Sequence, residues 1–216
     1  MHLDYEALRS TPAAADPFPH VVIPRFVPPR ELDQVVRAMP PISQGGSFPP
    51  EALRLAGTVR ALFDELSGPR FRGAIAEKFG LDLDDAPSMI TLRGRTREKD
   101  GRIHRDSSAK LVTVLLYLNP PTAGWDQDEG CLRLLRGADD IEDYAVQVPP
   151  TDGTLLAFPN GPATWHGHKP FVGQRYAVQL NYMSTGAKAR AELRRHRLSA
   201  LLKRLAGVMR GTGRAA

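Results

Sequence analysis

The sequence predicts a mainly-β protein with helices at its two ends. Three observations carry this. About seven short apolar stretches follow one another from residue 88 to residue 183 at intervals of about 8–15 residues, with turn residues between them, as in a sandwich or jelly roll. No strand–helix–strand alternation and no internal repeat is visible, which argues against doubly wound and (β/α)8 architectures. The 3.6-residue apolar period is confined to the flanks.

In chain order, PFPHVVIPRFVP (17–28) reads as a proline-bounded strand centred on His20 to Ile23. ELDQVVRAM follows as a helix, with Leu32, Val35, Val36 and Met39 at helical spacing. Residues 40–50, rich in Pro, Gly and Ser, form a loop. Helices over about 51–66 and 69–79 come next, the second stopped at Gly80. SMITLRG (88–94) is a strand, 95–101 a charged turn, and 102–106 a further strand. LVTVLLYLN (111–119) is apolar on both faces and so interior. A loop over 120–130 contains Trp125. Strands at 131–136 and 144–148, the Asp152-Gly153 turn, a buried strand at 154–159 and a last strand at 175–183 complete the run.

The chain of 216 residues is long enough for one sizeable domain without a disulfide staple, and its single cysteine, Cys131, can form no intramolecular bridge. The N-terminus shows neither the basic nor the apolar region of a secretory signal, and no run of about 18 apolar residues exists. A cytoplasmic protein is the expectation. The net charge of +5 is unevenly held: residues 187–216 carry nine Lys/Arg against Glu192, and subtracting that +8 leaves −3 for residues 1–186. A basic body suited to nucleic acid is therefore not indicated. We divide the chain into one domain over 1–186, with its core at about 88–183, and a basic amphipathic helical tail over 187–216. In the tail, Leu198, Leu201, Leu202, Leu205, Val208 and Met209 form one stripe. Such a tail suits docking on the domain or a partner subunit, or peripheral contact with an anionic membrane through 187–210.

The chemistry-bearing residues are His104-Arg105-Asp106, His166 and Arg175. Side chains at i and i+2 of a strand share a face, so His104 and Asp106 can grip one ion together. Two imidazoles and a carboxylate form the facial triad of non-haem Fe(II) oxygenases, which leaves metal positions open for a co-substrate and dioxygen. In 175–182, Arg175, Ala177, Gln179 and Asn181 share a face. If it points inward, a buried arginine there calls for an anion, and a carboxylate supplies one by bidentate pairing.

Segment 104–183 resembles the catalytic core of the Fe(II)/2-oxoglutarate-dependent dioxygenases, the prolyl-hydroxylase-like branch in particular. The matching elements are His104-x-Asp106, LVTVLLYLN with Tyr117, the loop with Trp125, Glu129-Gly130-Cys131-Leu132-Arg133, Asp152-Gly153-Thr154 to Phe158, Trp165-His166-Gly167-His168 and Gln174-Arg175-Tyr176-Ala177. The resemblance implies a double-stranded β-helix (jelly roll, cupin-like) core with N-terminal helices and a C-terminal amphipathic helix. It implies His104, Asp106 and His166 as iron ligands, and Arg175 with Tyr117 on the distal carboxylate of 2-oxoglutarate. The cofactor set it implies is Fe(II), 2-oxoglutarate and O2, with ascorbate as an accessory reductant. The expected reaction couples decarboxylation of 2-oxoglutarate, to succinate and CO2, with oxidation of a C–H bond. Where the family has Gly-Gly this chain has Glu129-Gly130, which leaves the substrate-side loop open.

His168 lies on the same side as His166 in an extended chain and competes for the ligand role; the family spacing to Arg175 favours His166. Two other classes stand beside this reading: a cupin-like Zn or Mn isomerase or hydrolase, which has no use for Arg175 as a dicarboxylate clamp, and a binding module without catalysis. The substrate expected is polar, a peptidyl residue or a small metabolite.

Overall fold

Two antiparallel sheets face each other in the computed structural model, which describes residues 1–121, 128–195 and 198. Helices α1 (Tyr5–Ser10), α2 (Pro29–Arg37), α3 (Gly57–Ser67) and α4 (Pro69–Phe79) come first, with β1 (Val21–Ile23) between the first two. Seven strands follow: β2 (Ser88–Thr96), β3 (Lys110–Tyr117), β4 (Leu132–Leu135), β5 (Tyr144–Val148), β6 (Leu155–Pro159), β7 (His166–Gly167) and β8 (Gly173–Met183). The larger sheet has the order β1-β6-β3-β8-β2 and the smaller one β5-β4-β7. Two facing sheets are what the strand spacing predicts, and the arrangement is the double-stranded β-helix that the family resemblance implies.

Period-2 alternation decides what each face of the larger sheet does. Val112, Val114 and Leu116 of β3, with Val178, Leu180 and Tyr182 of β8, enter the main core, where they meet Val59, Leu62, Phe63 and Leu66 of α3 and Phe71 and Ile75 of α4. Fully burying each such side chain contributes about 1.5–3 kcal/mol. The opposite face divides in two. Tyr117, Leu156, Phe158 and Ala177 pack against Leu132, Leu134 and Val148 of the smaller sheet. The remaining positions line a cavity. The face holding Arg175 thus points inward, where an arginine must find an anion.

Asn119 pins the end of β3. Its Nδ2 donates to the carbonyls of Pro150 (2.5 Å) and Tyr176 (3.1 Å), and its Oδ1 accepts from the Tyr176 N–H (2.8 Å).

Three local expectations are corrected, and one further element is added. Residues 102–106 do not form a laddered strand; His104 makes an isolated bridge to His166, because β7 opposite has only two residues to offer. The helix expected over about 51–66 begins at Gly57, since Pro49-Pro50 starts a short 3-10 turn (Pro50–Ala52) and the chain is extended at Leu53. The strand at 88–94 runs on to Thr96. Helix α1 escaped the periodicity because it is six residues long, yet Asp4 caps it by accepting from the Ala7 N–H at 2.8 Å. Residues 187–195 are helical; Leu201, Leu202, Leu205, Val208, Met209 and Trp125 lie outside the described residues. Among the described residues no helix is long and apolar enough to cross a membrane.

Candidate metal and co-substrate site

Two segments converge at one end of the cavity. His104 and Asp106 come from the link between β2 and β3, and His166 from β7. One ligand atom from each lies within 4.8 Å of the others. Reciprocal backbone hydrogen bonds, both 3.0 Å, join His104 to His166 and hold the ring centroids 4.4 Å apart. Gly101 and Gly167 let the two segments approach. Gly101 has φ +93°, and a Cβ on it would run into the His168 ring; one on Gly167 would sit 2.9 Å from the Gly101 carbonyl oxygen.

Both imidazoles are oriented from behind. His104 Nδ1 is 2.8 Å from the Arg102 carbonyl oxygen and His166 Nδ1 is 2.9 Å from that of Thr164. A carbonyl can only accept, so Nδ1 carries the proton and Nε2 offers its lone pair. Carbonyl partners of this kind fix the tautomer and angle of metal-binding histidines. Burial, then the electrostatic influence of the neighbouring His104 ring, push the His166 pKa down to about 4, so this ring is neutral at pH 7, as ligation requires. Burial alone would raise the Asp106 pKa. The charges of Lys110 and His166, with hydrogen bonds from Lys110 and Thr113, outweigh it and keep the carboxyl below its ordinary range.

Asp106 is the best-supported member. Lys110 Nζ donates to Oδ1 and Thr113 Oγ1 to Oδ2, each at 2.6 Å. Thr113 in turn accepts from Asn160 Nδ2 at 2.9 Å. Lys110, Thr113 and Asn160 were not legible as site residues: the first two stand in the apolar strand β3 and the third follows β6. The available signal was the phase of β3, which puts Thr113 on the face of Tyr117.

The cavity holds about 300 Å³, and Thr113, Tyr117, His168, Arg175 and Asn181 are among its walls. Arg175 is 6% exposed and donates from Nε to the Gly130 carbonyl at 3.0 Å. It sits at a β-bulge. The β2–β8 register passes from Arg93↔Ala177 to Arg95↔Gln174, so Arg175 and Tyr176 together oppose Gly94. Bulges re-aim side chains beside functional sites. The Arg175 guanidinium lies 5.2 Å from the Tyr117 ring centroid. Among the described residues the buried Tyr117 hydroxyl has no hydrogen-bond partner, and burial raises its pKa, so it stays a neutral donor. Among the described residues Arg175 forms no ion pair, and a buried guanidinium beside the Tyr117 hydroxyl has the chemistry to take one end of a carboxylate ligand.

His168 lines the same cavity but is not in the three-residue cluster; its Nδ1 faces the Lys169 carbonyl at 2.8 Å. Its pKa falls to about 4 through burial and the nearby Arg175. Glu129 bridges to Lys169, and Cys131 is buried. Arg133, 1% exposed, anchors this corner through ion pairs to Asp128 (3.2 Å) and Glu142 (3.0 Å).

Residues 94–183 match the family model described as the 2OG-Fe(II) oxygenase superfamily. No curated protein matches the sequence. Among solved structures, the chain is similar to a Pseudomonas putida prolyl-4-hydroxylase, at 18% identity and TM-score 0.54 over 76% of this chain and 92% of that one. It is similar to a prolyl 4-hydroxylase from Phytophthora capsici, at 19% and 0.54 over 88% and 68%. A third is the viral collagen prolyl hydroxylase of Paramecium Bursaria Chlorella virus-1, at 15% and 0.52 over 82% and 95%. At these identities the likeness establishes the fold.

Proposed function

We propose that residues 94–183, which match the 2OG-Fe(II) oxygenase superfamily model, work as such an oxygenase, that His104, Asp106 and His166 hold the iron, that Arg175 and Tyr117 hold 2-oxoglutarate, and that the enzyme hydroxylates a C–H bond of a polar substrate. Iron held there would supply the oxidising power, with O2 as oxidant and 2-oxoglutarate consumed to succinate and CO2. The protein's own residues supply geometry. The carbonyls of Arg102 and Thr164 present two Nε2 atoms, and Lys110 and Thr113 hold the carboxylate between them. Arg175 receives the distal carboxylate as a fork, with the Tyr117 hydroxyl as an added donor. Phe158 against His166 (5.2 Å between centroids) and the apolar wall of Leu115, Leu132 and Ala177 limit water on the inner side.

The observation that carries the reading is the pairing, in one cavity, of the His-Asp-His cluster with a buried arginine lacking a carboxylate. A zinc hydrolase or a binding module has no use for the second half. The structural relatives suggest peptidyl proline as one substrate class, and a small polar metabolite fits as well. Incubation with Fe(II), 2-oxoglutarate, O2 and a panel of polar C–H donors should release succinate from the wild type and not from His104→Ala. A hydrolytic product with Zn(II) and no succinate would contradict the proposal.

A further inference from the structure

The cavity carries more positive charge than the co-substrate needs. Its charged walls are Arg93, Lys110 and Arg175 against a single acid, Asp106. Lys110 is spoken for by Asp106 at 2.6 Å. Among the described residues, neither Arg93 nor Arg175 forms an ion pair. Asp100, whose charge reaches Arg93, is engaged by the Arg97 N–H, Nε and Nη2 at 2.9–3.1 Å. Of the two carboxylates of 2-oxoglutarate, one belongs to the metal and one to Arg175. Arg93 is left over.

We infer that Arg93 receives an anionic group, a carboxylate or a phosphate, of the molecule that is oxidised, and so selects an acidic substrate. This rests on the oxygenase reading given above. Arg93 stands beside the β2–β8 bulge, opposite Ala177 and one register step from Arg175. Its Nε donates to Ser47 Oγ at 3.0 Å, and Ser47 is itself a wall of the cavity. That contact orients the fork and leaves its two terminal nitrogens for a ligand. An arginine held this way presents a planar pair of donors matched to carboxylate or phosphate. Thr91 and Gln179, paired across the same sheet face, add neutral polar groups alongside. The segment from Arg93 to Arg105 carries six Lys/Arg against Glu98 and Asp100, a field that draws anions to this end of the domain. Arg93 is exposed where Arg175 is buried, so it is the guanidinium of the cavity wall that a molecule arriving from solvent can reach.

The test uses full-length protein loaded with Mn(II) and 2-oxoglutarate, titrated calorimetrically with inorganic phosphate and, separately, with acetate. Wild type should take up at least one anion saturably, and which one tells phosphate from carboxylate recognition. Arg93→Gln should weaken that uptake by about tenfold or more while changing 2-oxoglutarate affinity by less than about twofold. Arg93→Lys, which keeps the charge and loses the fork, should fall between. Equal uptake by wild type and Arg93→Gln, or no uptake by wild type, overturns the inference. So does a parallel loss of 2-oxoglutarate, which would assign Arg93 to the co-substrate. Failure of the parent reading looks different: the wild type would bind no 2-oxoglutarate at all.

Discussion

Thr113 donates to Asp106 Oδ2 at 2.6 Å, tying the carboxylate of the metal cluster to the middle of the central strand β3. The same hydroxyl accepts from Asn160, so one side chain links the cluster to both β3 and the end of β6. Thr113→Val keeps the shape and removes the donor. It should weaken Mn(II) or Fe(II) binding by about 10–100-fold while leaving the circular dichroism spectrum unchanged. Equal metal affinity in the two proteins, by calorimetry, would show that Lys110 alone orients Asp106.

Arg175 and Tyr117 should separate by substitution. Tyr117→Phe removes a buried hydroxyl without a partner, so without co-substrate the variant should be more stable than wild type by about 1 kcal/mol in urea melts. The same change should weaken 2-oxoglutarate binding by about tenfold, through the lost hydrogen bond. A variant that loses stability instead would place the Tyr117 hydroxyl in an internal contact and not in the co-substrate cradle.

Arg175→Lys keeps the charge and gives up both the fork and the Nε contact with the Gly130 carbonyl. It should raise the KM for 2-oxoglutarate by more than about tenfold and move kcat far less, because the distal carboxylate is held alike in ground and transition states. An unchanged KM would remove Arg175 from the co-substrate site.

The pH dependence of metal-free stability has a definite sign. His166 and His168 have folded pKa values of about 4, below the unfolded value near 6.5, so the unfolded chain binds more protons between those limits. Their stabilising contribution is complete above about pH 6.5 and is lost as pH falls towards 4, amounting to a few kcal/mol. Asp106, held low, loses its share below its ordinary range and acts in the same direction. Urea midpoints of the metal-free protein should fall steadily from pH 7 to pH 4, and less in His168→Gln. A flat profile would contradict the burial of these rings.

The site was legible where chemistry follows chain order, and obscure where it follows strand phase. His104, Asp106, His166 and Arg175 stand at spacings that a reader of sequence can use. Lys110 and Thr113 do not, because a lysine and a threonine at the head of an apolar strand look like an ordinary edge. Arg93 was hidden in a strand whose inward face could not be told from its outward one without the β8 register. The i, i+2 argument for His104 and Asp106 assumed a strand over 102–106. The structure reaches the same grouping through one bridge to His166 and a tight approach at Gly101 and Gly167, close packing that no periodicity encodes.

Anaerobic titration of the protein with Fe(II) and 2-oxoglutarate tests the central claim most directly, since it reads metal and co-substrate together on one site. The account predicts a weak visible charge-transfer band in the wild type, absent from His104→Ala and Asp106→Asn and displaced to higher 2-oxoglutarate concentration in Arg175→Lys. No band in folded wild type, or a band of full strength in His104→Ala, would contradict it.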